Sequence, residues 1–411
     1  MIARPQAIGV LPLPAGYLLI DDDGSEQAVG AVRERLVAGL EVRAWPAALR
    51  GHELAHAGRA EEAALAFAGG DPVSRFNRFV LEPDGVDLDG LRAQLPTDLA
   101  PLVDVVAYSV GRVDLPPALG DATAEVAALV LSAQASHALD HDHPARAVAL
   151  LHEAASQAGE DNGPLQAVVL GNAGVVAWEH GLDVDGALAD LRHAVRLLAA
   201  TDLDLARAEL HYQLGSVIHA LAASGRRPLA DAVAEFHTVL GLVDRESAPE
   251  LWAAANLSIG TAYLTMPMTE ATDQLRSGIA MGSLRAALEV FTREAYPAQW
   301  ATAQVNLANS LVYAPSSKQG DNLVEAVERY EEVLELRDRE NDPLGRARLL
   351  ANQGNALAHL GIFDHAKAKL HEARFLFEEH GDIDAVMAVR GVLDEIARET
   401  VPAAPAAGSV S

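Results

Sequence analysis

The stretch WATAQVNLANSLVYAPSSKQGDNLVEAVERYEEVLEL (Trp300–Leu336) contains two amphipathic segments joined by a polar loop. The first segment carries the hexapeptide Asn306–Leu311. The second is AVERYEEVLEL, in which apolar residues recur at helical spacing between charged ones. The stretch therefore predicts a helical hairpin, and it serves as a template for the rest of the chain.

Degenerate copies of this template recur from about residue 121 to residue 399. Counterparts of the hexapeptide begin 39 to 48 residues apart, at Ala133, Asn172, Gln213, Ser258, Asn306 and Asn352. The third residue of each copy is small, which predicts close contact between helices; these residues are Ala135, Gly174, Gly215, Gly260, Ala308 and Gly354. Repetition at this period predicts an all-α helical solenoid of about six hairpins. Residues 381–399 are expected to form a capping helix, and residues 400–411 a disordered tail.

Residues 1–120 are predicted to form a separate, mostly helical N-terminal region with irregular segments. Residues 31–69 indicate a divergent first repeat, in which Gly51 and Ala63 allow two helices to approach closely. Residues 9–20 favour one or two short strands or an extended arm. The motifs GGDP, EPDG and LPP interrupt residues 70–120, where we expect one helix within residues 91–111, entered or kinked at Pro96 or Pro101.

Composition and charge exclude several function classes. The net charge of −27 argues against binding to nucleic acid or to an anionic membrane surface, which requires clustered Lys and Arg. It favours a basic or neutral partner, or serves only to maintain solubility. The chain has no cysteine, which excludes disulfides and thiolate chemistry. No apolar run approaches the roughly 20 residues that span a bilayer, and no signal peptide is indicated, so a cytoplasmic location is expected.

The repeats resemble tetratricopeptide repeats of the longer variety, similar to bacterial multi-repeat and kinesin-light-chain arrays. The likeness is closest at REAYPAQWATAQVNLANSL and NLVEAVERYEEVLELRDREN and covers about residues 121–399. It implies a right-handed superhelix whose first helices line a concave groove that binds a protein or peptide. In such arrays, paired Asn residues face the groove and hold the backbone of an extended peptide.

Both Asn positions of that pattern are present in two adjacent repeats, and other polar residues share their helical face. The groove candidates are Asn306, Asn309, Tyr313, Arg348, Asn352, Asn355 and His359, with Asn172 and Trp178 earlier in the array. Gln213 with Ser216, and Ser258 with Thr261, depart from the pattern, so the middle of the array is expected to bind differently or not at all. The alternative interpretation is that the amides cap helices or bond to neighbouring repeats.

Few residues suggest chemistry of another kind. His137, His141 and His143 are weak candidates for a metal site, although histidines in a loop beside a proline are more often simply solvated. No phosphate-binding loop, nucleophile–base pair or cofactor motif is present, so we expect no enzyme activity and no cofactor. The sequence favours a protein-interaction scaffold or adaptor. An assembly factor for an enzyme complex and a regulatory or sensory array are the alternatives, and self-association through an uncapped solenoid end is a further hypothesis.

Overall fold

The computed structural model of the chain describes residues 6–7, 17–21, 26–159, 162–266, 273–313 and 318–400. The chain packs as two compact units, residues 1–226 and residues 227–411. Helices dominate both units, which confirms the predicted all-α repeat fold. The predicted division near residue 120 stays a prediction, and the proposed tail beyond Thr400 lies outside the described residues.

The first part of unit 1 combines a small two-stranded sheet with six helices. Strands β1 (Gln6–Ala7) and β2 (Leu19–Ile20) pair in the antiparallel sense. The helices are α1 (Gln27–Val37), α2 (Arg50–His56), α3 (Ala60–Ala66), α4 (Pro72–Leu81), α5 (Leu88–Gln94) and α6 (Pro101–Ser109). The close approach predicted at Gly51 is present, since a methyl group there would lie 2.6 Å from a ring carbon of Phe67.

Strand β2 is held inside this helical region by side chains rather than by a wider sheet. Leu18, Leu19 and Ile20 are fully buried. The Asn77 amide accepts a hydrogen bond from the Leu19 nitrogen (2.7 Å) and donates one to the Leu19 carbonyl (2.8 Å). The buried His52 Nε2 lies 3.0 Å from the same carbonyl oxygen. These contacts satisfy the backbone of an extended segment that has no strand beyond β1 beside it in the described ranges.

Residues 70–120 contain more helix than the sequence predicts. Helix α4 forms where the motifs suggested interruption, and it begins with Pro72 at its first position after the capping side chain of Asp71. The helix expected within residues 91–111 is present as α6, which is entered at Pro101, and the end of a second helix, α5, was not expected in that range. A proline disfavours the helical conformation in the residue before it. Leu95, which precedes Pro96, accordingly has an extended backbone, and α5 ends there.

Within the described residues, six first helices and six second helices then alternate along the sequence, and a final helix follows. The first helices are α7 (Ala124–Asp140), α9 (Gly163–Glu179), α11 (Asp204–Ala223), α13 (Pro249–Thr265), α15 (Pro297–Tyr313) and α17 (Pro343–His359). The second helices are α8 (Pro144–Ala158), α10 (Val184–Leu198), α12 (Leu229–Leu242), α14 (Asp273–Leu288), α16 (Gln319–Leu334) and α18 (Phe363–Glu379). The final helix is α19 (Ile383–Thr400), close to the predicted cap. Each predicted hexapeptide lies within a first helix.

Three of the small residues predicted to mark close helix contacts, Gly174, Gly260 and Gly354, do so. A methyl group on Gly174 would lie 2.9 Å from the Ala187 carbonyl oxygen. A methyl group on Gly354 would lie 2.7 Å from Leu370 Cγ. Such distances are below normal van der Waals contact, so α9 and α17 each meet their own second helix at a point where only a hydrogen atom fits. None of the described helices is both long and apolar enough to cross a membrane.

Candidate functional site

A set of polar side chains on α13, α15 and α17 is linked from helix to helix in unit 2. We call this set the amide row; it consists of Thr261, Asn306, Asn309, Tyr313, Asn352 and Asn355. Residues three, four or seven apart share one face of a helix, so each helix presents its members on one side. Because neighbouring repeats place equivalent positions side by side, these faces meet.

Each link in the amide row is a hydrogen bond between adjacent first helices. Asn306 Nδ2 donates to Thr261 Oγ1 at 2.9 Å. Asn352 Nδ2 donates to Asn309 Oδ1 at 3.2 Å, and Asn355 Nδ2 donates to the Tyr313 hydroxyl oxygen at 3.2 Å. The amides therefore do bond to neighbouring repeats, as the alternative interpretation anticipated.

A buried tyrosine on a second helix, Tyr330, holds Asn309 at the centre of the amide row. The Tyr330 side chain of α16 is 1% exposed, and its hydroxyl donates to Asn309 Oδ1 at 2.5 Å. Burial, and then the nearby Tyr313, raise the pKa of the Tyr330 hydroxyl. The hydroxyl consequently remains protonated and remains a donor, which fixes Asn309 with its oxygen toward the array.

Every asparagine of the amide row uses one end of its amide within the array and keeps the other end unbonded. Asn309 accepts two hydrogen bonds at Oδ1, and its Nδ2 has no partner among the described residues. Asn306, Asn352 and Asn355 donate through Nδ2, and within the same described ranges their Oδ1 atoms have none. All four side chains are partly accessible to solvent. The row thus offers one donor and three acceptors to a ligand.

Three larger side chains lie at the accessible surface of the site: Tyr313, which belongs to the amide row, and Arg348 and His359, which lie beside it. Tyr313 is 66% exposed, and Arg348 and His359 are exposed on the same face of α17 as Asn352 and Asn355. Neither Arg348 nor His359 has a side-chain polar partner in the part of the chain that the structure describes. The structure therefore places the predicted residues of α15 and α17 together, with an aromatic surface and a free cation beside the amides.

A separate network attaches α17 to the second helices behind it. The buried Gln353 donates to Glu331 Oε2 at 2.6 Å, and Lys369 Nζ lies 2.9 Å from the same oxygen. The hydrogen bonds from Gln353 and then from Lys369 lower the pKa of Glu331. This network keeps the carboxylate ionised and fixes the rotation of α17, which in turn orients Asn352 and Asn355.

The two groove candidates of unit 1 are not on one face of their helix. Asn172 is exposed on α9 and has no polar partner among the residues described, whereas Trp178 is half-buried. Six residues correspond to about 600° of helical rotation, so the two side chains point roughly 120° apart. A shared binding role for Asn172 and Trp178 is not supported by this arrangement.

The histidine cluster lies at the turn between α7 and α8. His137 and His141 have ring centroids 4.1 Å apart, and His141 Nδ1 lies 2.8 Å from the His137 carbonyl oxygen. Within the described ranges, no three histidine or acidic side chains are grouped closely enough to hold a metal ion. The weak metal candidates His137, His141 and His143 therefore do not form a three-ligand site.

Sequence reasoning missed two members of the site. Thr261 was expected to break the asparagine pattern, yet its hydroxyl donates to the Leu257 carbonyl and accepts from Asn306, so it continues the row. Tyr330 is a core position of α16 by its spacing, and the signal that it has a polar role is its hydroxyl group, since a buried tyrosine usually needs a hydrogen-bond partner.

Comparison with known proteins gives limited similarity. No protein-family model matches the chain, and no curated protein matches it. Among solved structures, the chain is similar to the apo form of RapI, at 13% identity and a TM-score of 0.49, with 85% of this chain and 96% of that chain covered. A Rap protein complexed with Competence and Sporulation Factor gives 13% identity, a TM-score of 0.43 and coverage of 85% and 96%. A solved TPR domain gives 15% identity, a TM-score of 0.30 and coverage of 85% and 95%.

The helical hairpins of the chain itself establish its architecture. It is an all-α repeat protein built from helical hairpins. Similarities as distant as those above carry no information about its partners.

Proposed function

We propose that this protein is a non-enzymatic interaction scaffold or adaptor, and that it captures an extended segment of a protein partner on the amide row. One observation carries the proposal: each asparagine is fixed by the array at one end of its amide and presents the other end outward. A fully buried amide would be expected to use both ends within the fold, whereas these four side chains are partly accessible, so a ligand can reach the unbonded ends.

The unbonded groups have the chemistry that an extended backbone requires. A peptide chain in this conformation presents N–H donors and C=O acceptors that need partners. The Oδ1 atoms of Asn306, Asn352 and Asn355 accept from N–H groups, and Nδ2 of Asn309 donates to a carbonyl. Recognition of this kind reads the backbone and therefore tolerates many sequences.

Preorganisation favours such capture. Tyr330 fixes the Asn309 rotamer, and the neighbouring amides hold one another, so little side-chain entropy remains to be lost when a segment binds. Tyr313 adds a rigid aromatic surface with two rotatable torsions, and the unpaired Arg348 adds a site for an acidic side chain of the partner. Affinity would then come from hydrogen bonds to the partner's backbone, and selectivity from contacts with Tyr313 and Arg348.

The test begins with a selection of short peptides from a random displayed library against the whole protein. Affinities of the selected peptides are then measured for wild type, Asn355→Ala and Asn309→Ala, the last in a Tyr330→Phe background so that no buried hydroxyl loses its acceptor. We expect each asparagine variant to weaken binding by about tenfold, equivalent to roughly 1.4 kcal/mol.

The matched control is Asn322→Ala, which removes an amide from α16, the second helix of the same hairpin, outside the amide row. Its affinity should equal that of wild type. Equal affinities for all variants would show that the peptides bind elsewhere and would reject the proposal, provided that circular dichroism shows the same helix content throughout.

A further inference from the structure

A second candidate site lies in unit 1, in a cleft between the connection that precedes α7 and the turn that joins α7 to α8. The cleft has a volume of about 480 Å³, within the range of small-molecule sites. Its apolar lining residues, called here the apolar wall, are Leu115, Pro116, Pro117, Ala118 and Ala138. Its polar lining residues are Gln134, His137, His141, His143 and Arg146.

The charge of the cleft differs from that of the chain around it. The protein has a net charge of −27, yet no aspartate or glutamate lines this cleft. Arg146 is exposed and its guanidinium has no hydrogen-bond or ion-pair partner in the part of the chain that the structure describes. Helix α8 begins at Pro144 without an acidic residue in its first turn and without a side-chain cap, and Asp140 and Asp142 in the preceding turn are not among the residues that line the cleft.

The cleft is held open by contacts that leave its polar groups free. Gln134 Nε2 donates to the Pro117 carbonyl at 2.7 Å, which fixes the apolar wall relative to α7. His141 Nδ1–H donates to the His137 carbonyl, so the neutral ring presents Nε2 as a hydrogen-bond acceptor, while the ring nitrogens of His137 and His143 have no hydrogen-bond partner in the described ranges. Tyr108 packs edge-on against His137 with ring centroids 6.1 Å apart and supports it from the side of α6.

We propose that this cleft binds a small organic acid, whose carboxylate is held by Arg146 with His137 and His143, and whose apolar body packs on Leu115 and the two prolines. A guanidinium matches a carboxylate in a two-bond geometry, and the imidazoles of His137 and His143 can each add one N–H donor. The predominantly carbon lining argues against a bare inorganic anion, which would leave the apolar wall without a partner. This proposal does not rest on the function proposed for the amide row.

The test is isothermal titration of the full chain with 3-phenylpropanoate and hexanoate, each compared with its neutral amide and with inorganic phosphate, in buffer containing EDTA. We expect saturable binding of the acids. The amides should bind at least about tenfold more weakly because they lose one charge-assisted contact, and phosphate should bind at least about tenfold more weakly because it lacks the apolar contact. Arg146→Gln should weaken acid binding by about tenfold or more, and Leu115→Ser should weaken it several-fold.

The matched control is Arg196→Gln, which removes an exposed guanidinium of α10 that has no partner in the described ranges and does not line the cleft. Both arginines are on the surface, so neither change is expected to affect folding. Absence of acid binding, equal binding of acid and amide, or equal losses in the two arginine variants would overturn the proposal. Acid binding that requires added Zn²⁺ would also overturn it, because the histidines would then be metal ligands.

Discussion

Two glycines in unit 2 should respond in opposite directions to the same substitution. Gly391 is exposed in the middle of α19, and a methyl group there would meet nothing within 4 Å. Gly354 is buried in α17, where a methyl group would lie 2.7 Å from Leu370 Cγ and 3.3 Å from the Ala366 carbonyl oxygen. Replacement of a helical glycine by alanine stabilises a helix by up to about 1 kcal/mol when space is available.

We therefore expect Gly391→Ala to raise the free energy of unfolding by about 0.5–1 kcal/mol. At Gly354 the same gain is opposed by overpacking, which costs about 1–3 kcal/mol because the Leu370 side chain and the facing helix must move. The Gly354→Ala protein should therefore be unchanged or less stable by up to about 2 kcal/mol, and less stable than Gly391→Ala by about 1–3 kcal/mol.

Urea unfolding of both variants, followed by circular dichroism at one protein concentration, measures this difference. Both sites lie in the same unit, so the same unfolding transition reports on both. If Gly354→Ala stabilised the protein as much as Gly391→Ala, the close packing of α17 on α18 would be refuted, and with it the interpretation of the small third residue of each hexapeptide.

Three further predictions concern buried polar groups. Burial lowers the pKa of His52 to about 4, so between pH 6.5 and pH 4 the unfolded chain binds a proton that the folded protein does not. The free energy of unfolding should therefore fall by about 3 kcal/mol over that range. His52→Gln should remove this part of the pH dependence, and parallel pH profiles of the two proteins would contradict the prediction. Asn77→Asp should destabilise unit 1 by about 3 kcal/mol in denaturant melts at pH 7, because a carboxylate would face the Leu19 carbonyl; a loss below about 0.5 kcal/mol would argue against the clamp. Ser310 is buried and its hydroxyl has no partner among the described residues, so Ser310→Ala should raise the unfolding free energy by about 1 kcal/mol, and a decrease would reveal a bond that the structure lacks.

The sequence predicts the repeat array well because its signals are local. Helical periodicity and a small residue at a fixed place are repeated six times, so each copy supports the others. Residues 70–120 lack such repetition. There the motif GGDP was interpreted as an interruption, whereas its Pro72 stands at the first position of helix α4, where proline is favourable.

The candidate site was predictable only in part. The positions of Asn309 and Asn355 on one helical face follow from their spacing. Their partners do not, because the contact between Asn309 and Tyr330 depends on how α15 rotates against α16, and no local pattern encodes that rotation. The cleft beside His137 was missed for the same reason, since Leu115 and its neighbours approach α7 only in the folded chain.

The central claim is that the amide row binds a peptide through its backbone, and one measurement addresses it directly. A selected peptide is synthesised with one backbone N-methyl group at each position in turn, and in parallel with alanine at each position. We expect N-methylation at two or more positions to weaken binding by about tenfold or more, because the Oδ1 atoms of Asn306, Asn352 and Asn355 would lose their donors, while most alanine changes have little effect. A peptide that tolerates N-methylation throughout and depends on its side chains alone would contradict the account.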